Sequence, residues 1–444
     1  MSLFSAINTA ISGLTAQSTS FGNISEDVSN SQTTGFKRVD TSFVDFLTTS
    51  NGTQNTPGAV VARPDYINNV QGSITQTDNP LGMAIAGQGF FAVSQATGQV
   101  NNIPTFNPQQ FYTRAGDFTM NSTGYLVNGA GQYLNGWSVN PSSGVANQNA
   151  LAPIQVSQST YNPVPTTSVT LSANLPATPT SGTATSTSPL SSQITVYDSL
   201  GTAHTVTLNW TQSTANSWTV QVSVPDSKTG TTDAGSASVQ FGAASGNAVP
   251  EGTIGQVSTS TTDPGTVTSS GYVAGQPATL NFTTDFGSGN QSIQLNLGGY
   301  GGTSGVTQYA GSAYSLLGLT QNGVPPGSFS GVTTQANGDV IVNYNNGQTR
   351  TIAQIPVVTF NNPNALQSQN GQAFTATPDS GTPLAAAAST NGAGNLVVGS
   401  VEGSNVDIAQ EFSNLIVAQQ AYGANSKVVM TASQMLQATM SMIA

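Results

Sequence analysis

The sequence contains no cysteine and only one histidine, His204, among its 444 residues. Without cysteine the chain can form neither disulfides nor thiolate metal sites, and a single histidine cannot build a typical zinc site. Stability must therefore come from packing and hydrogen bonding. The sequence predicts no metal site and no cofactor.

Charged residues are scarce as well, since lysine, arginine, aspartate and glutamate together make up 6% of the chain. Acidic residues outnumber basic residues by 18 to 7, which gives a formal net charge of −11. Binding to nucleic acid requires a basic stripe or patch, so this balance argues against a nucleic-acid partner. A surface with so few ion pairs should also respond little to ionic strength.

Long apolar runs are missing from the start of the chain, and no lysine or arginine precedes Lys37. A cleavable signal peptide begins with basic residues before its apolar stretch, and a membrane-spanning helix needs about 20 mostly apolar residues. The sequence therefore predicts neither a cleavable signal peptide nor membrane insertion. If the protein is exported, another route must carry it.

A long amphipathic pattern occupies residues 404–444. Its apolar residues recur in alternating steps of four and three, a mean spacing of 3.5 residues that is typical of a helix wound around a partner helix. Ser404 and Asp407 precede the apolar run and are suited to cap the start of a helix. The seam consists of Ile408, Phe412, Leu415, Tyr422, Val429, Leu436, Met440 and Ile443.

The first thirty residues repeat this pattern, with a seam of Phe4, Ile7, Ile11, Leu14, Phe21 and Val28. Two seams of the same period at opposite ends predict that the termini meet and form a two-helix stalk. Small polar residues interrupt both seams, so the pair alone should be marginally stable and further copies of the molecule would bury the remainder. The alternative is an ordinary terminal helix that packs on its own domain.

The long middle of the chain has the pattern of β-strands, and its length predicts two to four domains. The clearest strands are at 193–197, 205–210 and 218–224, and Asn346-Gly347 after residues 339–344 is the strongest hairpin signal. The stretch 48–64 is rich in Asn, Gly and Thr and is predicted to be a loop.

Residues Asp198, Ser199 and His204 invite comparison with a catalytic triad. A triad needs an oriented base and an oxyanion hole, so a turn acid, a turn serine and a strand histidine are the simpler interpretation. The three tryptophans, Trp137, Trp210 and Trp218, could form a sugar-binding platform, but aromatic residues of β domains more often lie in the core. The sequence predicts that the protein is not an enzyme.

Several motifs resemble the signatures of the rod and hook proteins, a family that forms the axis of the bacterial flagellum. Near the N-terminus they are AISGL at 10–14 and TTGFKR at 33–38, which contains Thr34, Gly35, Phe36 and Lys37. Further along they are GQGFFAV at 87–93, YTRAGDF at 112–118 and EGSNVD at 402–407, which contains Asn405 and Asp407. Residues 194–204 resemble the strand–turn–strand that opens the outer domain of hook proteins.

The sequence departs from the family pattern in one place. The stretch after Leu14 is usually rich in Asn, whereas this chain carries Glu26 and Asp27 near the end of the first helix. Acidic residues are mildly unfavourable at a helix C-terminus. Pairing with Lys37, Arg38 or a neighbouring subunit would account for them.

The resemblance implies a multidomain, mainly β protein whose N- and C-terminal α-helices pair in a coiled-coil-like stalk. Its inner and outer β domains would be built by nested insertion. The predicted division is 1–30 with 404–444 as the terminal helical core, 31–70 with 385–403 as a connector, 71–150 with 323–384 as the inner β domain, and 151–322 as the outer β domain.

The resemblance also implies a structural subunit that assembles head to tail into a helical tube, the flexible universal joint that transmits motor torque to the filament. The implied partners are further copies of the chain, the distal rod protein, the hook cap, the hook–filament junction proteins, the length-control protein and the flagellar export apparatus. The implied location is extracellular, in the hook, after type III export.

Two alternatives stay open at this point. A distal-rod-like subunit would assemble in the same way but form a straight polymer. A secreted β-rich adhesin or carbohydrate binder would explain the middle of the chain but would leave both terminal seams unexplained.

Overall fold

The computed structural model describes residues 3–51, 54–141, 143–177, 188–244, 246–259, 267–311 and 313–443. The chain folds into two compact units. Unit 1 comprises Met1–Gln158, Ser330–Asn343 and Thr349–Ala444, and unit 2 comprises Ser159–Phe329 and Tyr344–Gln348.

The helices are α1 (Leu3–Ser29) and α2 (Ile408–Ile443), with short 3₁₀ turns at Pro363–Ala365 and Pro378–Ser380. The strands of the first part of the chain are β1 (Val39–Asn51), β2 (Gln54–Tyr66), β3 (Ile74–Gln76), β4 (Met83–Ala86), β5 (Phe91–Val100), β6 (Ile103–Phe106), β7 (Phe111–Thr113), β8 (Thr119–Met120), β9 (Leu126–Val127), β10 (Gln132–Ser138) and β11 (Ala152–Pro153). They are followed by β12 (Ser168–Asn174), β13 (Leu190–Tyr197), β14 (Ala203–Thr214), β15 (Ser217–Ser223), β16 (Asp233–Phe241), β17 (Ile254–Thr259), β18 (Thr268–Ser269), β19 (Pro277–Asp285), β20 (Asn290–Gly299), β21 (Val306–Thr307) and β22 (Ser315–Gln321). The remaining strands are β23 (Phe329–Thr334), β24 (Asp339–Tyr344), β25 (Thr349–Gln354), β26 (Val357–Thr359), β27 (Gln367–Gln369), β28 (Ala373–Thr375), β29 (Leu384–Ala386), β30 (Asn395–Val398) and β31 (Ser400–Glu402).

Both terminal helices are present, which confirms the prediction from the 3.5-residue period. Asp407 is the residue that caps α2, because its Oδ1 accepts hydrogen bonds from the backbone amides of Ala409 at 2.9 Å and Gln410 at 3.2 Å. The Ser404 hydroxyl accepts from the amide of Val406 in the turn before the helix. Of the two predicted capping residues, only Asp407 accepts from free amides of the helix, and Ser404 stabilises the turn before it.

The β-sheet of unit 1 has the strand order β23-β24-β25-β10-β5-β7-β28-β27, with β6, β8, β9 and β11 paired alongside. One apolar cluster of this unit is built around Phe90, Tyr112, Leu366 and Phe374, so early and late segments share a core. Two small pairings, β3 with β31 and β4 with β30, also join early strands to late ones.

The predicted loop at 48–64 is wrong, because strands β1 and β2 form a long antiparallel hairpin there. The hairpin contacts α1 through hydrogen bonds from Thr9 Oγ1 to the Gly58 carbonyl at 3.0 Å and from the Val60 amide to Ser12 Oγ at 3.1 Å. Strand formation depends on such neighbours more than on intrinsic preference, so the Asn- and Gly-rich composition misled the prediction.

Unit 2 contains a six-stranded sheet, ordered β18-β19-β20-β12-β21 with β22 on β12, and a five-stranded meander from β13 to β17. Strand β12 pairs in parallel with β20 and β21. Apolar side chains from both sheets form one core that includes the fully buried Trp210 and Trp218. The strands predicted at 193–197, 205–210 and 218–224 are confirmed, and the buried tryptophans cannot serve as a sugar platform.

The turn between β13 and β14 is held by the side chain of Asp198. Its Oδ1 accepts from the backbone amides of Leu200 at 2.9 Å and Thr202 at 2.7 Å. Burial on its own would raise the pKa of Asp198, but these hydrogen bonds and the contact with His204 outweigh it and hold the pKa below its ordinary value. The ionised carboxylate therefore stabilises unit 2.

We expect Asp198→Ala to lower the free energy of unfolding of unit 2 by about 1–3 kcal/mol, because two backbone amides lose their acceptor and each hydrogen bond contributes about 0.5–1.5 kcal/mol. Asp198→Asn keeps one acceptor oxygen and should lose less than half as much. Since the folded pKa is depressed, the difference between wild type and Asp198→Asn should be present above pH ~4 and fade as the pH falls below it. Denaturant unfolding followed by Trp210 and Trp218 fluorescence, in a Trp137→Phe background, measures both effects. Equal losses for the two variants would refute the hydrogen-bond explanation.

Candidate assembly site

Helices α1 and α2 pack against each other, which confirms the predicted pairing of the chain ends. The rings of Phe21 and Tyr422, one from each predicted seam, meet edge to face with centroids 6.2 Å apart. At Gly13 an added Cβ would lie 2.7 Å from Asn425 Nδ2, so the absence of a side chain there lets the helices approach closely.

The buried stripe of α1 consists mostly of small residues, namely Ala10, Gly13, Ala16, Ser20, Ile24 and Asp27. The predicted seam lies beside this stripe. Phe4 and Ile11 are exposed, while Ile7, Leu14, Phe21 and Val28 are half-buried. Small residues let α2 and the β1–β2 hairpin come close to α1, and the larger apolar side chains keep much of their surface free.

The seam of α2 changes its orientation along the helix. Ile408 and Phe412 are exposed near the start, whereas Leu415, Val429 and Leu436 are half-buried. A seven-residue repeat drifts by about 20° per heptad on a straight helix, so a seam read at 3.5 residues does not stay on one face. Tyr422 and Met440 are exposed, and the side chain of Ile443 lies outside the described part of the structure.

The two helices together present an exposed apolar area, which we call the helical surface. It comprises Phe4, Ile11, Ile408, Phe412, Ile416, Val417, Tyr422, Val428, Met430, Met435 and Met440. Extended apolar surface of this kind is typical of a site that binds another macromolecule.

A buried ion network lies where the helices join the sheet, and Glu402 is at its centre. One carboxylate oxygen, Oε1, accepts from Lys37 Nζ at 2.5 Å and from the Gly72 amide at 2.9 Å. The other, Oε2, accepts from Arg114 Nη1 at 2.8 Å. The side chains of Glu402, Lys37 and Arg114 are all almost fully buried.

Backbone carbonyls accept further hydrogen bonds from both cations. Lys37 Nζ donates to the Val70 carbonyl at 2.7 Å, and Arg114 donates to the carbonyls of Ile85 and Gly87 at 3.0 and 2.6 Å. Burial lowers the pKa of Lys37, and the charge of Glu402 opposes that effect. The network therefore draws its hydrogen bonds from five separate segments of unit 1, while Nε of Arg114 is buried with no hydrogen-bond partner among the described residues.

The predicted motif residues gather around this network. The backbone of Gly35 has a φ of +69°, and an added Cβ would lie 2.3 Å from the Ala115 amide nitrogen. Asn405 accepts from the Arg38 amide at 2.8 Å through Oδ1 and donates to the Ile67 carbonyl at 3.0 Å through Nδ2. Phe36 is buried, Thr34 is half-buried, and Asp407 caps α2 as described above.

Arg114 and Glu402 lie in separate sequence motifs, and nothing in the sequence pairs them. Asp117, the acid nearest to Arg114 along the chain, accepts instead from the Gly129 amide at 3.0 Å through Oδ2. The scarcity of charge is a signal that could have found the network. In a chain with so few ionisable groups, an acid and a base that each stand among apolar or small residues are candidates for a buried pair.

Three carboxylates come together beside the network, from Asp27, Asp40 and Glu411, each with an oxygen within 4.8 Å of the others. The Val39 amide donates to both oxygens of Asp27 at 3.1 and 3.2 Å, and Arg38 lies 3.6 Å from Asp40. Burial raises the pKa of Asp27 to about 7 and also raises the pKa of Glu411. The expected pairing of Asp27 with Lys37 or Arg38 is therefore wrong, because Lys37 pairs with Glu402 and Arg38 with Asp40, and the partner of Asp27 is the Val39 amide.

Comparison with known proteins identifies three matching family models. Residues 84–174 match the flagellar hook protein FlgE/F/G D1 domain, residues 166–324 match the flagellar basal body protein FlaE D2 domain, and residues 397–442 match the flagellar basal body rod FlgEFG protein C-terminal region. The flagellar hook protein FlgE of Rhizobium meliloti is 31% identical, with 98% of each chain covered. The chain belongs to the flagellar hook protein family.

Further relatives of this family have the same extent. The hook proteins of Salmonella typhimurium and Escherichia coli are 30% and 29% identical and cover 96% and 97% of this chain. The hook protein FlgE2 of Helicobacter pylori, a solved structure, has 15% identity and a TM-score of 0.46 over 72% of this chain and 98% of its own. The hook proteins of Rhizobium meliloti, Salmonella typhimurium and Escherichia coli confirm the predicted hook subunit and favour neither a rod subunit nor an adhesin. Among the described residues, no helix has the length and apolarity to cross a membrane.

We expect Glu402→Gln to lower the free energy of unfolding of unit 1 by roughly 3–5 kcal/mol, because Lys37 and Arg114 would stay buried without a counter-charge. The double variant Glu402→Gln with Lys37→Met removes one stranded cation and should recover part of the loss. Circular dichroism at 222 nm follows unit 1, since α1 and α2 both belong to it. Glu26→Gln, an exposed acid of α1, is the control and should leave unfolding almost unchanged. A loss for the double variant as large as the sum of the single losses would contradict the pairing.

Proposed function

We propose that this chain polymerises head to tail into the tubular flagellar hook and that the helical surface is its main assembly contact. The observation that carries the proposal is the set of large apolar side chains left exposed on two paired helices. Burying apolar surface contributes about 25 cal/mol per Å², so covering these exposed side chains with a neighbouring subunit would favour association.

The contact is heterologous in this proposal, which means that one face of a subunit binds a different face of the next. Such contacts continue into an open helical polymer when the rotation between subunits does not close a ring. The exposed side of α1 and α2 would meet surfaces of neighbouring subunits, and the small-residue stripe of α1 would hold the pair together within each subunit.

The buried ion network supports the mechanical part of the proposal. A polymer that transmits torque needs a firm link between its assembly contacts and the rest of each subunit. Glu402 ties the segment before α2 to Lys37 after α1 and to Arg114 of the sheet. The nearly uncharged polar surface suits a flexible joint, because neighbouring subunits can slide without breaking strong ion pairs.

Further parts of the proposal rest on family membership. We expect the distal rod protein, the hook cap, the hook–filament junction proteins and the length-control protein as partners. We also expect export through the flagellar apparatus to the cell exterior and no catalytic activity. The local roles of Asp198 and His204 support the last point, since Asp198 holds a turn and His204 stacks on Phe286 with ring centroids 4.0 Å apart.

The assembly contact can be tested with Ile416→Gln and Met430→Gln combined, because both side chains are more than half exposed. Glutamine favours helix, so α2 should stay intact while polymerisation is lost. The matched control combines Val100→Gln and Ile103→Gln, which are equally apolar, 61% exposed and lie at the tip of the β5–β6 hairpin. Sedimentation and electron microscopy after induced polymerisation give the result.

Tubes from the control and none from the helix variant would support the proposal. Normal tubes from the helix variant would place assembly elsewhere on the chain. Wild-type protein should give curved tubes, and protein lacking residues 405–444 should give none. Straight polymers from the wild type would favour a rod-like role.

A further inference from the structure

Asp27, Asp40 and Glu411 come from three different elements. Asp27 lies in the last turn of α1, Asp40 is the second residue of β1, and Glu411 lies in the first turn of α2. Their carboxylate oxygens lie within 4.8 Å of one another, and the base nearest to them is Arg38, 3.6 Å from Asp40. Three acidic side chains thus share one basic side chain.

Glu411 adds a second and independent observation. Its side chain is only 1% exposed, and its Oε1 has no hydrogen-bond partner among the described residues. Burying a carboxylate oxygen without a hydrogen bond or a counter-charge costs several kilocalories per mole in general. This oxygen is therefore available to coordinate a cation.

A cavity of about 330 Å³ adjoins the cluster, with Asp40 and Glu411 in its wall. Gln17, Ser20 and Asn414 also line it. Their side chains offer uncharged oxygen atoms, and the cavity has room for several water molecules. Carboxylates, amide oxygens and water are together the usual ligand set of a hard divalent cation.

We propose that Asp27, Asp40 and Glu411 bind one calcium ion at the junction of α1, β1 and α2. Calcium takes roughly six to eight oxygen ligands at about 2.3–2.6 Å, so three oxygens within 4.8 Å of one another can all reach one calcium ion. The cluster has no sulfur or imidazole ligand, which disfavours zinc. Magnesium is less suited because it requires a tight octahedron at about 2.0–2.1 Å.

By coordinating all three side chains, the ion would link the last turn of α1 and the first turn of α2 to strand β1. It would replace the repulsion among three carboxylates by attraction to a common charge. Calcium would bind the folded single chain, whether or not the chain polymerises.

The test uses the full chain, freed of metal with a chelator and then titrated with CaCl₂ in a calorimeter. One ion per chain should bind, and calcium should raise the midpoint temperature at which ellipticity at 222 nm is lost. The same concentration of MgCl₂ should give a smaller shift. An equal shift with magnesium would overturn the assignment to calcium.

Asp27→Asn is the decisive variant, because the amide oxygen can still accept from the Val39 amide. It should lower calcium affinity by at least about tenfold through loss of one charged ligand. In chelator it should melt at the same temperature as wild type or higher, since one repulsive charge is gone, and in calcium it should melt lower. Glu26→Gln makes the same change of charge one residue away on the exposed side and should bind calcium like wild type.

Binding is measured on the soluble chain and, separately, as calcium retained in sedimented polymer. No calcium in either form would overturn the proposal, as would unchanged affinity in Asp27→Asn. If Asp27→Asn melts higher than wild type both with and without calcium, the cluster is merely repulsive and the proposal fails. Failure to polymerise would affect the assembly proposal alone.

Discussion

Glu402 and its two cations are the interaction on which the rest of unit 1 depends. The carboxylate binds Lys37, Arg114 and the Gly72 amide, and its own backbone carbonyl accepts from the Gly35 amide at 2.8 Å. Buried ion pairs contribute little net stability compared with apolar replacements, because desolvation offsets their attraction. Their specific geometry instead fixes which segments meet. Here that geometry joins the segments before α2 and after α1 to residues 70–72, 85–87 and 114.

The sequence was most informative where the structural signal is local. Helix periodicity and the cap at Asp407 are encoded within a few residues, and the strands of unit 2 alternate regularly between buried and exposed positions. For that reason both helices, the mainly β character and the β24–β25 hairpin could be predicted. The domain boundaries between residues 31 and 403 remain predictions, since the two compact units are a coarser division.

Non-local features could not be predicted in the same way. Lys37 and Glu402 are 365 positions apart, and no local pattern pairs them. The β1–β2 hairpin is held by contacts with α1, which its own sequence does not reveal. Its composition alone therefore indicated a loop. The face that each seam presents depends on whether the helix is straight or supercoiled, and a difference of about 20° per heptad decides which residues stay exposed.

The contact between Gly13 and Asn425 has a geometric consequence. One turn along α1 in either direction the same stripe carries Ala10 or Ala16, whose methyl groups would take the place of the missing side chain. Sliding α2 by one helical turn, about 5.4 Å, would press the amide of Asn425 against such a methyl group. The fit of Asn425 against Gly13 therefore favours the observed register of the two helices. Helix α2 is held at two separate points, by the contact of Asn425 with Gly13 and by the Glu402 network just before its first turn. Two points of contact restrict its rotation relative to α1 more than one would.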